Sequence, residues 1–224
     1  MHADLSHIES WIFDLDNSLY PHSCNLFELI DLRMGDYIQR LLGVDAAEAR
    51  RVQKSYFHAH GTTLAGLMAS HGVDPHDFLS FVHDIDLARL AADPALVAAL
   101  DRLPGRKFVF TNASEDYARR VLDRLGLANA FDGLHDIHAM AYVPKPDPSG
   151  YGAICERHRI EPGRALFADD MARNLAPAKA IGMTTLWVDN GSEQGPDVAE
   201  ADFIDYRSTD IAGWLSEVLG EEVA

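Results

Sequence analysis

The most constraining feature of this sequence is the segment Trp11-Ile12-Phe13-Asp14-Leu15-Asp16-Asn17-Ser18, in which a short apolar run leads directly into two aspartates. Such a run predicts a short buried strand. Asp14 then lies at the carboxyl end of that strand, where open α/β sheets bind their ligands. With a period of two, Asp14 and Asp16 project to the same side. Because two close carboxylates repel each other, a cation or a shared proton is expected between them. The alternative is an ordinary strand end with two solvated acids.

Similar apolar runs recur in the second half of the chain, and helical patterns separate them. Buried strands are predicted at 107–110, 165–168 and 184–188, with short strands at 134–140 and 203–204. Helices are predicted at 94–103, 114–125, 148–158, 170–181 and 211–219. Strands that alternate with helices predict an α/β fold with a doubly wound, mostly parallel sheet that is covered on both faces.

Residues 19–94 carry a different pattern, with apolar residues recurring at spacings of three and four and no alternating strand pattern between about 22 and 92. This block predicts an all-helical insert. Helices are expected from Leu26 to Leu42, from Ala46 to about His60, from Thr62-Thr63 to Gly72, and from Asp74-Pro75 onward. The predicted division is an α/β core of residues 1–18 and 95–224, and a helical unit of residues 19–94.

Charge and composition narrow the possible partners and the compartment. The 224 residues carry a formal net charge of −16, which argues against a nucleic-acid polymer or an anionic membrane as partner. Only two cysteines are present, and residues 1–7 show neither the basic nor the apolar region of a signal peptide. A cytoplasmic protein is therefore expected. The sequence assigns no oligomeric state.

The polar residues that end the predicted strands indicate the chemistry. Asp14, Thr111 and Asp169 each follow an apolar run, so the parallel sheet is expected to gather them at one rim, with Lys145 nearby in a loop that two prolines keep irregular. Carboxylates clustered at one rim make a hard oxygen site suited to Mg2+. A lysine and a threonine hydroxyl are donors for phosphoryl oxygens. The combination predicts Mg2+-dependent phosphoryl transfer to or from a small phosphate ester.

Four short motifs occur in an order that resembles the haloacid dehalogenase-like superfamily. They are Asp14-Leu15-Asp16-Asn17-Ser18, Phe110-Thr111-Asn112-Ala113, Lys145-Pro146, and Phe167-Ala168-Asp169-Asp170 with Asn174. The resemblance spans about residues 8 to 190 and implies a Rossmann-like core with a type 1 helical cap.

The resemblance also implies a role for each motif residue. Asp14 is the nucleophile that forms an aspartyl-phosphate, and Asp16 is the acid/base. Thr111 and Lys145 hold the phosphate. The metal-site residues implied for Mg2+ are Asp14, the backbone carbonyl of Asp16, Asp169 and, as support for the metal shell, Asp170. Acids at both Asp14 and Asp16 speak against the dehalogenases of the superfamily, whereas the mutases use both.

A second resemblance concerns the substrate. Gly61-Thr62-Thr63-Leu64-Ala65-Gly66-Leu67 and Phe131-Asp132-Gly133-Leu134 are similar to the pyrimidine 5′-nucleotidase branch, which hydrolyses nucleoside monophosphates such as UMP and CMP. The candidate substrate-binding residues are Thr62, Thr63, Arg33, Thr111, Asn112 and Lys145. Thr62 and Thr63 are alternatively helix caps, and Arg33 is alternatively a surface residue. A phosphatase of phosphoglycolate or a sugar phosphate, a sugar-phosphate mutase and a non-catalytic phospho-ligand binding module remain as alternatives.

Overall fold

A six-stranded parallel sheet in the order β3-β2-β1-β4-β5-β6 forms the centre of the computed structural model, which describes residues 5–191 and 201–220. The strands are β1 (Ser10–Phe13), β2 (Arg106–Phe110), β3 (Gly133–His135), β4 (Ala165–Asp169), β5 (Thr184–Val188) and β6 (Tyr206–Ser208). Every neighbouring pair is parallel. All four residues of β1 are buried between β2 and β4. The doubly wound α/β prediction is confirmed.

Helices surround the sheet and fill the insert. The described residues form α1 (Leu26–Leu42), α2 (Ala46–His60), α3 (Thr63–His71), α4 (Pro75–Val82), α5 (Pro94–Arg102), α6 (Glu115–Arg124), α7 (Pro148–His158), α8 (Leu175–Ala180) and α9 (Ile211–Val218). Helices α1 to α4 follow one another between β1 and α5, so the predicted all-helical insert is confirmed. We keep the boundaries 1–18, 19–94 and 95–224 as a proposal and call the helical unit the cap.

Side-chain caps explain where several of these helices begin. Asp45 accepts a hydrogen bond from the backbone N–H of Glu48 at the start of α2, and Thr62 accepts one from Ala65 at the start of α3. Each cap satisfies a backbone donor that the first helical turn leaves unpaired. Gly43 ends α1 with a φ of 65°, a left-handed conformation that glycine adopts without steric cost.

Two of the predicted strands have different bounds in the structure. The strand expected at 134–140 ends at His135, because the Asp136 carboxylate accepts backbone hydrogen bonds from Glu115 and Ala139 and so closes a turn. The strand expected at 203–204 is shifted to Tyr206–Ser208. Just before this strand, the Asp205 carboxylate accepts a hydrogen bond from the backbone N–H of Thr185. The backbone preceding β6 is therefore joined to β5 through a side chain rather than through a ladder.

The core of the protein lies on both faces of the sheet. Phe110, Tyr151 and Phe167 pack edge to face or tilted, with ring centroids 5.1 to 5.8 Å apart, under the carboxyl ends of β2 and β4. This aromatic layer supports the rim of the sheet. Cys24 and Cys155 are free thiols. Across the described ranges, no helix combines the length and the apolar character that crossing a bilayer demands.

Candidate active site

Three acidic side chains meet at the carboxyl ends of β1 and β4. Carboxylate oxygens of Asp14, Asp169 and Asp170 all lie within 4.8 Å of one another, and all three residues are buried. The backbone holds this arrangement, since the N–H of Asp14 donates to the carbonyl of Ala168 at 2.8 Å. Ser18 joins the two strand ends, because its hydroxyl lies 3.3 Å from Asp14 Oδ2 and accepts from the N–H of Asp170 at 3.0 Å.

Lys145 lies between the carboxylates. Its Nζ donates to Asp14 Oδ1 at 2.8 Å, to Asp169 Oδ2 at 2.7 Å and to the carbonyl of Phe110 at 2.8 Å, and the residue is only 1% exposed. Asn112 fixes the lysine backbone with a reciprocal pair of hydrogen bonds of 2.8 and 3.2 Å. All three ammonium protons are therefore used, which is the condition under which a buried lysine stays charged.

The electrostatics of this group follow from burial and close charges. Burial raises the pKa of Asp14 to about 7, Asp169 and Asp16 add to the rise, and Lys145 opposes it. Burial alone lowers the pKa of Lys145, but the carboxylates of Asp14 and Asp169 raise it above its ordinary value. The positive charge of Lys145 favours the ionised, nucleophilic form of Asp14 against the effect of burial.

Asp16 has surroundings of its own. Its Oδ1 accepts hydrogen bonds from the hydroxyls of Tyr20 at 2.6 Å and Tyr117 at 2.9 Å. Burial raises the pKa of Asp16, and the two hydroxyl donors oppose the rise. The Asp16 side chain is not part of the acidic cluster, which is formed by Asp14, Asp169 and Asp170. This separation suits the resemblance, in which Asp16 meets the metal through its backbone carbonyl.

The acidic cluster fits a divalent cation by the chemistry of its donors. Three buried carboxylates offer hard oxygen ligands at short mutual distances, as Mg2+ requires. Asn174 orients one of them, since its Nδ2 donates to both oxygens of Asp169 at 2.9 and 3.0 Å. Among the described residues, Asp14, Asp169 and Asp170 thus form a group able to hold such a cation.

A cavity of about 420 Å³ opens above these groups and reaches into the cap. Asp14, Asp16, Thr111, Asn112 and Lys145 line its catalytic end. The cap end is largely apolar, with lining side chains that include Phe27, Ile30, Met34, Phe57, Leu64 and Phe78. Its volume is within the range of roughly 300–1,000 Å³ typical of small-molecule sites.

The two threonines predicted as substrate-binding residues line this cavity and also have structural roles. Thr62 caps α3, and the Thr63 hydroxyl donates to the carbonyl of Gln53 at 3.5 Å. Thr111 also lines the cavity, while its hydroxyl accepts from the N–H of Ala113 at 3.0 Å. A substrate role for these three hydroxyls stays a prediction.

The structure places Arg33 elsewhere. Its guanidinium donates to the carbonyl of Phe81 at 2.9 and 3.0 Å and lies 3.9 Å from the centroid of that ring. Arg33 also lies 3.6 Å from Asp84 and is absent from the cavity lining. In this structure Arg33 ties α1 to the end of α4, and its expected contact with substrate stays a prediction. The helical periodicity places a residue on a face, but it does not say which neighbouring carbonyl that face meets.

Several cavity residues escaped the sequence reasoning. Gln53 is 2% exposed in the middle of α2, and Arg173 lies two residues before α8, where its guanidinium donates to the carbonyl of Gly61 at 3.2 Å and covers the Phe57 ring at 4.6 Å. Neither residue carried a sequence signal, because the burial of a glutamine and the direction of an arginine are set by tertiary packing. Tyr117, which contacts Asp16 but does not line this cavity, had no sequence signal either, because it looks like an ordinary core residue of an amphipathic helix.

Comparison with known proteins agrees with this fold and these motifs. The family model of haloacid dehalogenase-like hydrolases matches residues 11–182. Phosphate metabolism protein 8 of Saccharomyces cerevisiae is 29% identical over 195 residues, an alignment that covers 77% of this chain and 59% of the yeast protein. The chain thus spans about three fifths of that relative's length.

A second relative and a solved structure cover nearly the whole chain. The phosphoglycolate phosphatase of Rhodospirillum rubrum is 27% identical over 223 residues, covering 91% of this chain and 89% of the relative. A HAD phosphatase from Thermococcus onnurineus superposes with a TM-score of 0.66 at 21% identity, covering 97% of this chain and 100% of that chain. At that identity the solved structure shows a common fold.

Proposed function

This chain belongs to the haloacid dehalogenase-like hydrolases, and we propose that it is a Mg2+-dependent phosphomonoester hydrolase whose substrates are pyrimidine nucleoside 5′-monophosphates. The observation that carries the proposal is the contact of the buried Lys145 ammonium with Asp14 and Asp169 at the catalytic end of the cavity. A fixed positive charge beside a buried carboxylate both activates the nucleophile and neutralises a phosphoryl group.

In the first step, an oxygen of the Asp14 carboxylate attacks phosphorus, and the bond between phosphorus and the leaving oxygen breaks. The Asp16 carboxyl gives its proton to that leaving oxygen, so a neutral alcohol departs. With substrate bound, Lys145 exchanges one of its carboxylate acceptors for a phosphoryl oxygen, and the Thr111 hydroxyl donates to another phosphoryl oxygen. Asp14, Asp169 and Asp170 would hold Mg2+, which would supply positive charge beside the phosphoryl oxygens.

In the second step, water attacks phosphorus and the Asp14–phosphate bond breaks. Asp16 accepts the proton from that water, which returns both aspartates to their starting forms and releases inorganic phosphate. Closure of the cap excludes bulk water from the cavity during both steps.

The apolar cap end of the cavity supports a substrate that carries a ring. Phe27, Phe57 and Phe78 line it, and stacking of a nucleobase on an aromatic side chain is worth about 1–3 kcal/mol. Gln53 and Thr63 also line the cavity. The Gln53 amide donates to Asp31 Oδ1 at 2.7 Å, so it would have to exchange that partner to meet a base edge. These features favour a nucleotide over a phosphate ester without a ring.

A second candidate is the hydrolysis of phosphoglycolate, the activity in the name of the Rhodospirillum rubrum relative. The catalytic end of the cavity accommodates any small phosphate ester. Glycolate, however, leaves the aromatic wall without a contact. The two candidate functions therefore share one mechanism and differ in the substrate contacts that they require from the cap.

A substrate panel tests the proposal. Phosphate release is measured from UMP, CMP, dTMP, AMP, GMP, phosphoglycolate and glucose phosphates, with Mg2+ or with EDTA, using wild type and Asp14→Asn. Activity confined to pyrimidine nucleotides and lost in both controls is the expected result. Preference for phosphoglycolate or a sugar phosphate refutes the nucleotide assignment. No Mg2+-dependent release from any ester refutes the hydrolase assignment and favours a binding module.

A further inference from the structure

Only one of the two carboxylate oxygens of the acid/base candidate Asp16 is held by hydrogen bonds from the described residues. Its Oδ1 accepts from Tyr20 at 2.6 Å and from Tyr117 at 2.9 Å, whereas none of the described residues donates a hydrogen bond to its Oδ2. A carboxylate oxygen has two in-plane lone pairs, and two O–H donors fill them. Both tyrosines are almost fully buried, at 3% and 1% exposure, so water does not replace their hydroxyls.

We propose that Tyr20 and Tyr117 are positioning residues that hold Oδ1 of Asp16, so that Oδ2 is the oxygen that gives and takes the proton during hydrolysis. This inference rests on the proposed phosphomonoester hydrolysis. With both lone pairs of Oδ1 occupied, a proton on the carboxyl has to lie on Oδ2. The two hydroxyls also stop the carboxyl group from rotating, which keeps Oδ2 aligned with the leaving oxygen.

The two tyrosines reach Asp16 from different parts of the chain. Tyr20 is four residues away along the loop after β1, and Tyr117 lies on α6, which is 101 residues away. Neither tyrosine serves only to fill the core. Burying a hydroxyl without a hydrogen-bond partner is costly, and both hydroxyls donate to the same carboxylate oxygen. A phenylalanine at either position would fill the same space without the donor.

The cap contributes to the position of Tyr117. His83, which directly follows α4, stacks on the Tyr117 ring with centroids 4.3 Å apart and planes at 16°. Ser114 holds the His83 Nδ1 at 2.9 Å, and Arg120 donates to the His83 carbonyl. Since Ser114 occupies the N-cap position of α6 and Arg120 lies on that helix, this end of the cap is attached to the helix that carries Tyr117. The alignment of Asp16 therefore depends on this end of the cap being packed against α6.

The test separates proton delivery from general damage by using two leaving groups. Single-turnover release is measured from phenyl phosphate, whose leaving oxygen is strongly basic, and from p-nitrophenyl phosphate, whose leaving anion needs no proton. Tyr117→Phe and Tyr20→Phe should each slow phenol release about tenfold to a hundredfold, the loss of one hydrogen bond to a charged group. Release of p-nitrophenolate should change less than about threefold, with half-saturating concentrations unchanged for both esters.

Tyr56→Phe is the matched control, because it removes a tyrosine hydroxyl that bonds His71 Nε2 at 2.7 Å, away from the cavity lining. It should affect neither rate. Equal losses on the two esters, or no loss on either, would overturn the positioning role. If either Tyr20→Phe or Tyr117→Phe does not fold, the rates of the other variant decide whether the positioning role holds. A wild type that releases neither phenol would refute the proposed hydrolase and this inference with it.

His83→Ala measures the contribution of the cap. It should show the same selective loss on phenyl phosphate as the tyrosine variants, because the Tyr117 ring loses its stacked neighbour, and His83→Phe should restore the rate by restoring the stack. A loss that is equal for both esters, or that His83→Phe does not reverse, would remove His83 from the positioning set.

Discussion

Replacement of Lys145 by methionine tests the electrostatic centre of the site. The substitution keeps an unbranched chain in the cavity but leaves Asp14 and Asp169 buried without the ammonium that lies 2.8 and 2.7 Å from them. Removing one partner of a buried ion pair costs about 3–5 kcal/mol, because an uncompensated charge remains in a low-dielectric site. We expect the free energy of unfolding of Lys145→Met to fall by about that amount near neutral pH in EDTA.

The stability loss of Lys145→Met should also depend on pH, in a direction that follows from the pKa of Asp14. The pKa of Asp14 is already raised to about 7 in the folded protein, and loss of Lys145 removes the charge that opposes the rise. A folded-state pKa above the unfolded value means that the native state binds more protons, so stability falls as pH rises from about 4 through the raised pKa. The deficit of Lys145→Met should therefore be smaller at about pH 5 than at about pH 8.

The assay is urea denaturation followed by tryptophan fluorescence, with Lys179→Met as the control. Lys179 pairs with Asp205 at 2.5 Å, but the two side chains are 39% and 28% exposed. An exposed pair is worth at most about 1 kcal/mol. Mg2+ should restore part of the stability of Lys145→Met, because the cation compensates the same carboxylates. A loss no larger than that of Lys179→Met would refute the reasoning.

Asp16, Arg33 and His83 each offer a separate test. Asp16→Asn should lower kcat on a nucleotide about 10²–10⁴-fold, and a loss below about tenfold would contradict the acid/base role. Arg33→Ala should cost about 1 kcal/mol in urea denaturation, through its hydrogen bonds to Phe81, and leave KM unchanged; a raised KM would return it to the substrate site. Burial, with Arg120 and His138, lowers the pKa of His83 to about 3. Between about pH 7 and pH 5 the unfolded imidazole gains a proton that the folded one does not, so His83 lowers stability by about 2 kcal/mol. In His83→Gln this part of the pH slope should disappear, and an unchanged slope would contradict it.

The catalytic end of the site was predictable because its residues stand next to unmistakable local signals. Asp14, Thr111 and Asp169 follow apolar strands, and parallel topology alone brings the ends of β1, β2 and β4 to one rim. The irregular, proline-containing loop around Lys145 singled this residue out in the sequence. Its position between two carboxylates then follows from the same topology, since a buried ammonium needs anionic partners.

The cap end was not predictable in the same way, because its contacts join helices whose relative placement no local pattern encodes. The periodicity of α1 does not tell a cavity-facing arginine from one that binds the carbonyl of Phe81. The partnership of Tyr117 with Asp16 bridges 101 residues. The ends of β3 and β6 were missed since the side chains of Asp136 and Asp205 compete with the ladder for backbone donors.

Trapping of the covalent intermediate tests the nucleophile most directly. Wild-type protein is mixed with substrate and Mg2+, quenched in acid and reduced with borohydride, which converts an acyl phosphate of aspartate to homoserine, and the peptides are mapped by mass spectrometry. The expected result is homoserine at position 14, absent in EDTA and absent when substrate is omitted. Homoserine at position 16 or 169, or substrate turnover without any reduced aspartate, would contradict the assignment of Asp14.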